Sequence, residues 1–164
     1  MRAIELTVNG RRRRLTVADD ALLLDVLRTD FGVTSVREGC GVGACGACTV
    51  LVDGPRSPRR SVSSCLVRAV RSDNTEITTA DGLPADDDVV GEFVAAGAMQ
   101  CGYCIPGFVL MAHELLAENP NPTPRQIAEH IAGNICRCGT YPEICSAIGA
   151  AAARRRGTEM GTQP

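Results

Sequence analysis

Eight of the nine cysteines stand at spacings that read as metal ligands rather than as disulfide pairs. Cys40, Cys45 and Cys48 follow the pattern C-x4-C-x2-C, with Cys65 further on, which is the spacing of a plant-type [2Fe-2S] site. The loop that carries them, Gly39-Cys40-Gly41-Val42-Gly43-Ala44-Cys45-Gly46, is dense in glycine, so its backbone can turn through left-handed conformations and bring amides up to the sulfurs. Such donors matter because two ferric irons, two sulfides and four thiolates sum to roughly −2, and reduction adds a further negative charge in a poorly solvated place. Zinc also takes four thiolates, but zinc modules usually present CxxC or CxxH knuckles rather than a CxxxxC loop. Gly41, Gly43 and Gly46 match G-x-G-x-x-G as well; no strand leads in, no helix clearly follows, and a cysteine interrupts the motif, which argues against a dinucleotide site.

A second set lies in the other half. Cys101 and Cys104 form CxxC just before a helix that starts near Pro106, so the positive end of that helix points at a thiolate-rich place. Cys136 and Cys138 form CxC after a helix stop, where a turn is required, because a strand would send the two sulfurs to opposite faces. Four more ligands are therefore available. Cys145, inside the last helix, reads as a small buried hydrophobe. His113 and His130 have no partner at ligand spacing and read as surface or packing residues, Met99 and Met111 as core fillers, and Gln100, by itself, as a polar residue at a helix end.

The elements that must position these groups divide the chain near residue 80. Residues 4–8 alternate, Asn9-Gly10 is a hairpin turn, and Leu15 to Val17 resume an apolar pattern after four arginines. Asp20 is positioned to cap a helix bearing Leu23, Leu24, Leu27 and Phe31, with Gly32 as its stop. A strand over Thr49 to Val52, an apolar run from Cys65 to Val70 and a short strand over Glu76 to Thr79 complete an α+β unit in residues 1–80. After the acidic linker Asp86 to Asp88, helices are predicted at about 88–98, 106–118, 124–132 and 142–154, with Pro106, Pro124 and Pro142 each at a first helical position. Thr123 and Gln126 form a capping box, and Gly133-Asn134 supplies a left-handed stop. Residues 81–153 thus form a small helical bundle, and 154–164 a disordered tail.

Composition narrows the function. Aromatics make up only 3% of the 164 residues, with no Trp, so metal sites are expected to add stability that aromatic packing does not. Seventeen basic against nineteen acidic residues leave a net charge of −2, which gives no pull towards nucleic acid or an anionic membrane. The N-terminal segment lacks the apolar run of a signal peptide, no stretch reaches membrane-spanning length, and Arg11 to Arg14 are followed by acidic residues rather than by the apolar stretch of an export signal. A cytoplasmic chain with reduced, metal-binding thiols is expected.

The segments VREGCGVGACGACTV at 36–50, MQCGYCIPG at 99–107 and GNICRCGTYPEI at 133–144 together resemble the small iron-sulfur subunits of molybdenum hydroxylases, the xanthine dehydrogenase, carbon monoxide dehydrogenase and isoquinoline 1-oxidoreductase-like family. The resemblance covers residues 1 to about 153. It implies a β-grasp ferredoxin domain that binds one [2Fe-2S] cluster through Cys40, Cys45, Cys48 and Cys65. A four-helix domain would follow, binding a second cluster through Cys101, Cys104, Cys136 and Cys138. It places Gln100 and Cys138 beside the pterin of a molybdopterin cofactor held mainly by a large partner subunit. Electrons would leave through both clusters to a flavin-binding medium subunit or an external acceptor, with no catalytic residue on this chain. Two departures stand out: the order Cys138-Gly139-Thr140-Tyr141, which is similar to bacterial isoquinoline, nicotinate and aldehyde enzymes, and extra residues around Pro55 to Arg60, which a longer hairpin loop is expected to absorb. The rival readings are a free-standing ferredoxin and a zinc-binding scaffold.

Overall fold

Alternation over the first residues gives strand β1 (Arg2–Val8), with Ile4, Leu6 and Val8 buried on one face. In the computed structural model, which describes residues 1–54 and 57–160, β1 pairs in full register with the antiparallel strand β2 (Arg11–Val17), from Arg2↔Val17 to Val8↔Arg11. The two residues between them, Asn9 at φ 50° and Gly10 at φ 75°, both take the left-handed conformation that a tight hairpin matching the strand twist demands. Strands β3 (Thr49–Gly54), β4 (Ser57–Ser63) and β5 (Thr75–Thr78) complete a sheet of order β2-β1-β5-β3-β4, in which only β1 and β5 run parallel. Helix α1 (Leu23–Thr29) buries Leu23, Leu24, Val26 and Leu27 in the core that this sheet covers. One helix packed on a mixed sheet is the β-grasp arrangement expected from the resemblance.

Three local expectations are corrected here. Asp20 does not cap α1: the helix begins at Leu23 behind Leu22, with no side-chain cap, because Leu22 is held in extended geometry by its bridge to Arg68. Gly32 is left-handed as a stop requires, yet Phe31 is buried outside the helix rather than in it. Arg59 and Arg60 lie in β4 rather than in a lengthened loop, since Arg60 pairs with Val52 and Gly54 with Ser57, so the extra residues extend the hairpin strands. Pro55 and Arg56 fall outside the described residues. Pro58 is tolerated because β4 is an edge strand, where one face of the ladder needs no donor.

The second half has its own core, built by α2 (Asp88–Ala95), α3 (Ile105–Glu118), α4 (Pro124–His130) and α5 (Tyr141–Met160). Asp87 caps α2 by accepting from the Val90 N–H at 2.9 Å, and the Thr123/Gln126 capping box is present on α4. Phe93 and Phe108 supply the bulk, while Ala147, Ala151 and Ala152 on α5 keep that helix narrow enough for close packing. The expected left-handed stop at Gly133-Asn134 is not formed: α4 ends in a 3-10 turn, Ile131–Gly133, and Asn134 is extended at φ −111°. The tail expected from Arg154 is helical through Met160, and residues 161–164 fall outside the described residues. Arg155 binds both Asp88 oxygens, with Nη2 at 2.8 Å, and Arg156 reaches the Pro120 carbonyl at 3.1 Å, which gives the last turns a reason to stay wound.

The two halves are stitched together close to the cysteines. The Arg37 guanidinium donates to the carbonyls of Gly102 and Tyr103 at 2.6 and 2.9 Å and lies 5.3 Å over the Tyr103 ring, while Tyr103 Oη donates to the Glu38 carbonyl at 2.7 Å. Ser61 on β4 donates its N–H and hydroxyl to the Glu114 carboxylate on α3, the hydroxyl at 2.7 Å.

Candidate iron-sulfur sites

The loop between Val36 and β3 turns on Gly41, Gly43 and Gly46, at φ 68°, 72° and 69°. Left-handed turns at these positions aim successive amides inward: Cys40 Sγ accepts from the Val42 and Ala44 N–H groups at 3.4 and 3.3 Å. Those two donors, with Cys45 beside them, hold the Cys40 thiol down at about 7, against an ordinary value near 9. Cys65 comes from the 3-10 turn Ser64–Leu66, where burial and the neighbouring Cys48 push its thiol up to about 11 despite a hydrogen bond from the Gly43 backbone. Glycine is required sterically as well. A Cβ on Gly39 would lie 2.8 Å from Cys45 Sγ, and one on Gly43 would lie 2.3 Å from Leu66.

In the second group, Cys104 is the N-cap of α3, so its sulfur sits at the positive end of a helix of 14 residues. Burial, then Cys136, push the Cys104 thiol up to about 12. Burial acts on Cys136 in the same direction, but the Thr140 hydroxyl, 3.1 Å from Sγ, and its backbone outweigh it and bring that thiol to about 7. The Cys136 N–H donates to Tyr141 Oη at 2.8 Å, which fixes the turn from the far side. Cys101 and Cys138 are exposed with their sulfurs 3.6 Å apart, and the Tyr103 backbone N–H lowers the Cys101 thiol. Gly102 at φ 75° and Gly139 at φ 85° make the two turns.

Within each group every sulfur has a near neighbour, Cys40 beside Cys45 and Cys48 beside Cys65 in the first, Cys101 within 3.6 Å of Cys138 and Cys104 beside Cys136 in the second, and weaker charge contacts also link the pairs of each group. Among the described residues no three His, Cys, Asp or Glu side chains gather round a single ion position. Zinc needs four ligands converging at about 2.3 Å on one centre, whereas a two-iron cluster takes two thiolates at each iron. Two pairs per group, wrapped by backbone donors or a helix end, fit a [2Fe-2S] cluster as the donor set.

The remaining sequence candidates separate cleanly. Gln100 is exposed and adjacent to Cys101 on the face that also carries Cys138. Met99 is not a core filler, since it is 39% exposed, whereas Met111 packs on the helical core. Cys145 is partly buried against that core and its thiol is raised by burial. His113 bonds Asp87 at 3.1 Å, and His130 lies 3.2 Å from Glu114 without hydrogen-bond alignment. Sequence reasoning passed over Arg37, gave Asn134 only a role in a helix stop and gave Thr140 none beyond its place in a motif. The sequence signal for Thr140 was its place two residues after Cys138; Arg37 and Asn134 act across long separations that no local pattern reveals.

Two family models match the chain, a 2Fe-2S iron-sulfur cluster binding domain over residues 6–81 and a [2Fe-2S] binding domain over residues 79–149. The nicotinate dehydrogenase small FeS subunit of Eubacterium barkeri is 43% identical over 88% of this chain and 91% of its own length. Isoquinoline 1-oxidoreductase subunit alpha of Brevundimonas diminuta is 38% identical over 91% of this chain and 97% of its own. Among solved structures, a chain of quinoline 2-oxidoreductase from Pseudomonas putida 86 superposes with a TM-score of 0.84 at 37% identity, covering 95% of this chain and 97% of that one. The aldehyde oxidoreductase of Desulfovibrio desulfuricans gives 0.88 at 40% identity over 96% of this chain, which corresponds to 17% of that longer polypeptide. With both halves matched and relatives covered end to end, the chain belongs to the small [2Fe-2S] iron-sulfur subunits of the molybdenum hydroxylases.

Proposed function

We propose that Cys40, Cys45, Cys48 and Cys65 hold one [2Fe-2S] cluster and Cys101, Cys104, Cys136 and Cys138 the other, and that the chain relays single electrons between two partners. When bound, each cluster supplies a site that takes up and releases one electron. The observation that carries the reading is that each cysteine group has one exposed and one inner end. Cys101 and Cys138 lie at the surface, with exposed Met99 and Gln100 just before Cys101 in the chain, while Cys104 and Cys136 are buried. Cys40 is exposed between Val42 and Leu66, while Cys48 and Cys65 are buried. The two cysteine loops are joined directly, where the Ile135 N–H donates to the Cys45 carbonyl at 2.9 Å.

The exposed face around Cys101 and Cys138 is the seat for a large molybdopterin-binding subunit, with Gln100 and Cys138 against the pterin. The Cys40 face serves a flavin-binding subunit or an external acceptor. This chain binds no organic substrate and supplies no catalytic residue; substrate choice rests with the partner. Cysteine usage that suits clusters rather than disulfides supports assembly in the reducing cytoplasm, and among the described residues no helix is long and apolar enough to cross a membrane. The test is metal analysis of the purified complex: two such sites require about four iron and about four acid-labile sulfide per copy of this chain. Half that iron together with bound zinc would sink the second site.

A further inference from the structure

Asn134 is 4% exposed, and its side-chain Nδ2, fully buried, has no hydrogen-bond partner. It is wedged where three segments meet. A Cβ on Gly46 would fall 1.9 Å from Asn134 Oδ1, and a Cβ on Gly107 would fall 2.9 Å from Asn134 Nδ2 and 2.5 Å from the Gly46 carbonyl oxygen. Gly46 lies between Cys45 and Cys48, Gly107 is in the first turn of α3 behind Cys104, and Asn134 leads through Ile135 into Cys136. The same junction carries the Ile135 N–H to Cys45 carbonyl hydrogen bond at 2.9 Å.

A buried amide donor without an acceptor is unfavourable, so space-filling alone would select an apolar side chain of similar volume. The geometry here selects differently. Gly46 lies against Asn134 Oδ1 and Gly107 against its Nδ2, and neither position leaves room for a Cβ, so this one amide touches both cysteine loops at once. We propose that Asn134 is a positioning residue that fixes the separation and relative orientation of the two cysteine loops, and so sets the coupling for electron passage between them. The proposal rests on the reading that both groups hold clusters.

The test uses the intact complex carrying Asn134→Ala or Asn134→Asp. In each variant the iron content, the two paramagnetic signals of the reduced protein, their mutual magnetic splitting and the rate of electron passage between them are measured. Asn134→Ala should keep both signals while their mutual splitting is diminished or lost and electron passage between them slows. Asn134→Asp, which keeps the planar shape, should retain the splitting. Parental splitting and rate in Asn134→Ala, or loss of splitting in Asn134→Asp, overturns the proposal, and the second arm decides alone if Asn134→Ala does not load iron. A single signal in the unmodified complex would instead overturn the two-cluster reading, and this proposal with it.

Discussion

Around Cys40, Cys45, Cys48 and Cys65 the groups that face sulfur are mostly backbone amides, aimed by three left-handed glycines. Around Cys101, Cys104, Cys136 and Cys138 they include a helix N-terminus and the side chain of Thr140, with the Tyr141 hydroxyl behind the turn. Both arrangements place positive dipoles against negative sulfur, and both draw one thiol down to about 7 while burial pushes another up to about 11 or 12. The difference lies in what can break them. A loop held by its backbone is vulnerable to an added Cβ and indifferent to many side-chain changes; a site at helix ends is tuned by individual side chains and depends on the packing of its bundle.

Removing a ligand gives the largest effect and tests whether the two groups are separate sites. Cys45→Ser should abolish one paramagnetic signal and Cys136→Ser the other, each lowering iron from about four to about two per chain, because each cluster needs its four thiolates. Cys145→Ser should leave both signals and the iron unchanged. A Cys45→Ser protein that loses the same signal as Cys136→Ser would collapse the comparison into one site.

Backbone sensitivity comes next. Gly46→Ala places a Cβ at φ 69° and 1.9 Å from Asn134, so the loop must move, at a cost of about 1–2 kcal/mol for the left-handed conformation before any clash is counted. Loss of the loop-held signal should exceed loss of the helix-held one. Gly149→Ala on α5, with nothing within 4 Å of the added methyl, should instead raise thermal stability by about 0.5–1 kcal/mol through helix propensity. Thermal bleaching followed signal by signal distinguishes the two substitutions.

Side-chain tuning is smaller and should appear only in the helical half. The Thr140 hydroxyl stabilises negative charge on Cys136 Sγ, and that charge grows on reduction. Thr140→Val removes the donor at nearly constant volume and should lower the potential of this cluster by about 40 mV, the one-electron equivalent of about 1 kcal/mol. The loop-held cluster should keep its potential in the same redox titration; a matching fall in both would show that the two environments are not independent.

The parts of this arrangement that are legible in the sequence are those with local causes. Asn9-Gly10, the prolines opening α3 and α4 and the Thr123/Gln126 capping box each act within a few residues, and each is realised in the structure. What sequence reasoning missed has its cause elsewhere in the chain. Pro58, Arg59 and Arg60 look like loop residues and become β4 because β3 offers them a ladder. Asn134 looks like a helix stop, but Gly46 and Gly107, 88 and 27 positions away, leave a slot that holds it extended. The arginines after residue 153 look like a solvated tail and stay helical because Arg155 finds Asp88 across the bundle.

That last contact gives the smallest effect and the one with a defined pH signature. Arg155 holds the Asp88 carboxyl below its ordinary value, first through its hydrogen bonds and, after an opposing desolvation contribution, through its charge, and both side chains are partly exposed. A carboxylate whose folded pKa is depressed contributes stability that is fully present above its unfolded pKa, about 3.9, and is lost only as pH falls through the lower folded value. Arg155→Ala should therefore destabilise the helical half by about 1 kcal/mol or less at neutral pH, bleaching the helix-held cluster earlier on heating than the loop-held one. Both relevant pKa values lie below 4, so the difference from the parent should stay constant between pH 8 and pH 5, a range mild enough to keep acid-labile sulfide in place. Raising the salt to about 1 M should shrink it, since the pair is not fully shielded from solvent. A gap that closed between pH 8 and pH 5 would mean that a group other than Asp88 answers to Arg155. Equal loss in both clusters would mean that the ion pair supports the junction between the halves rather than the helical bundle alone.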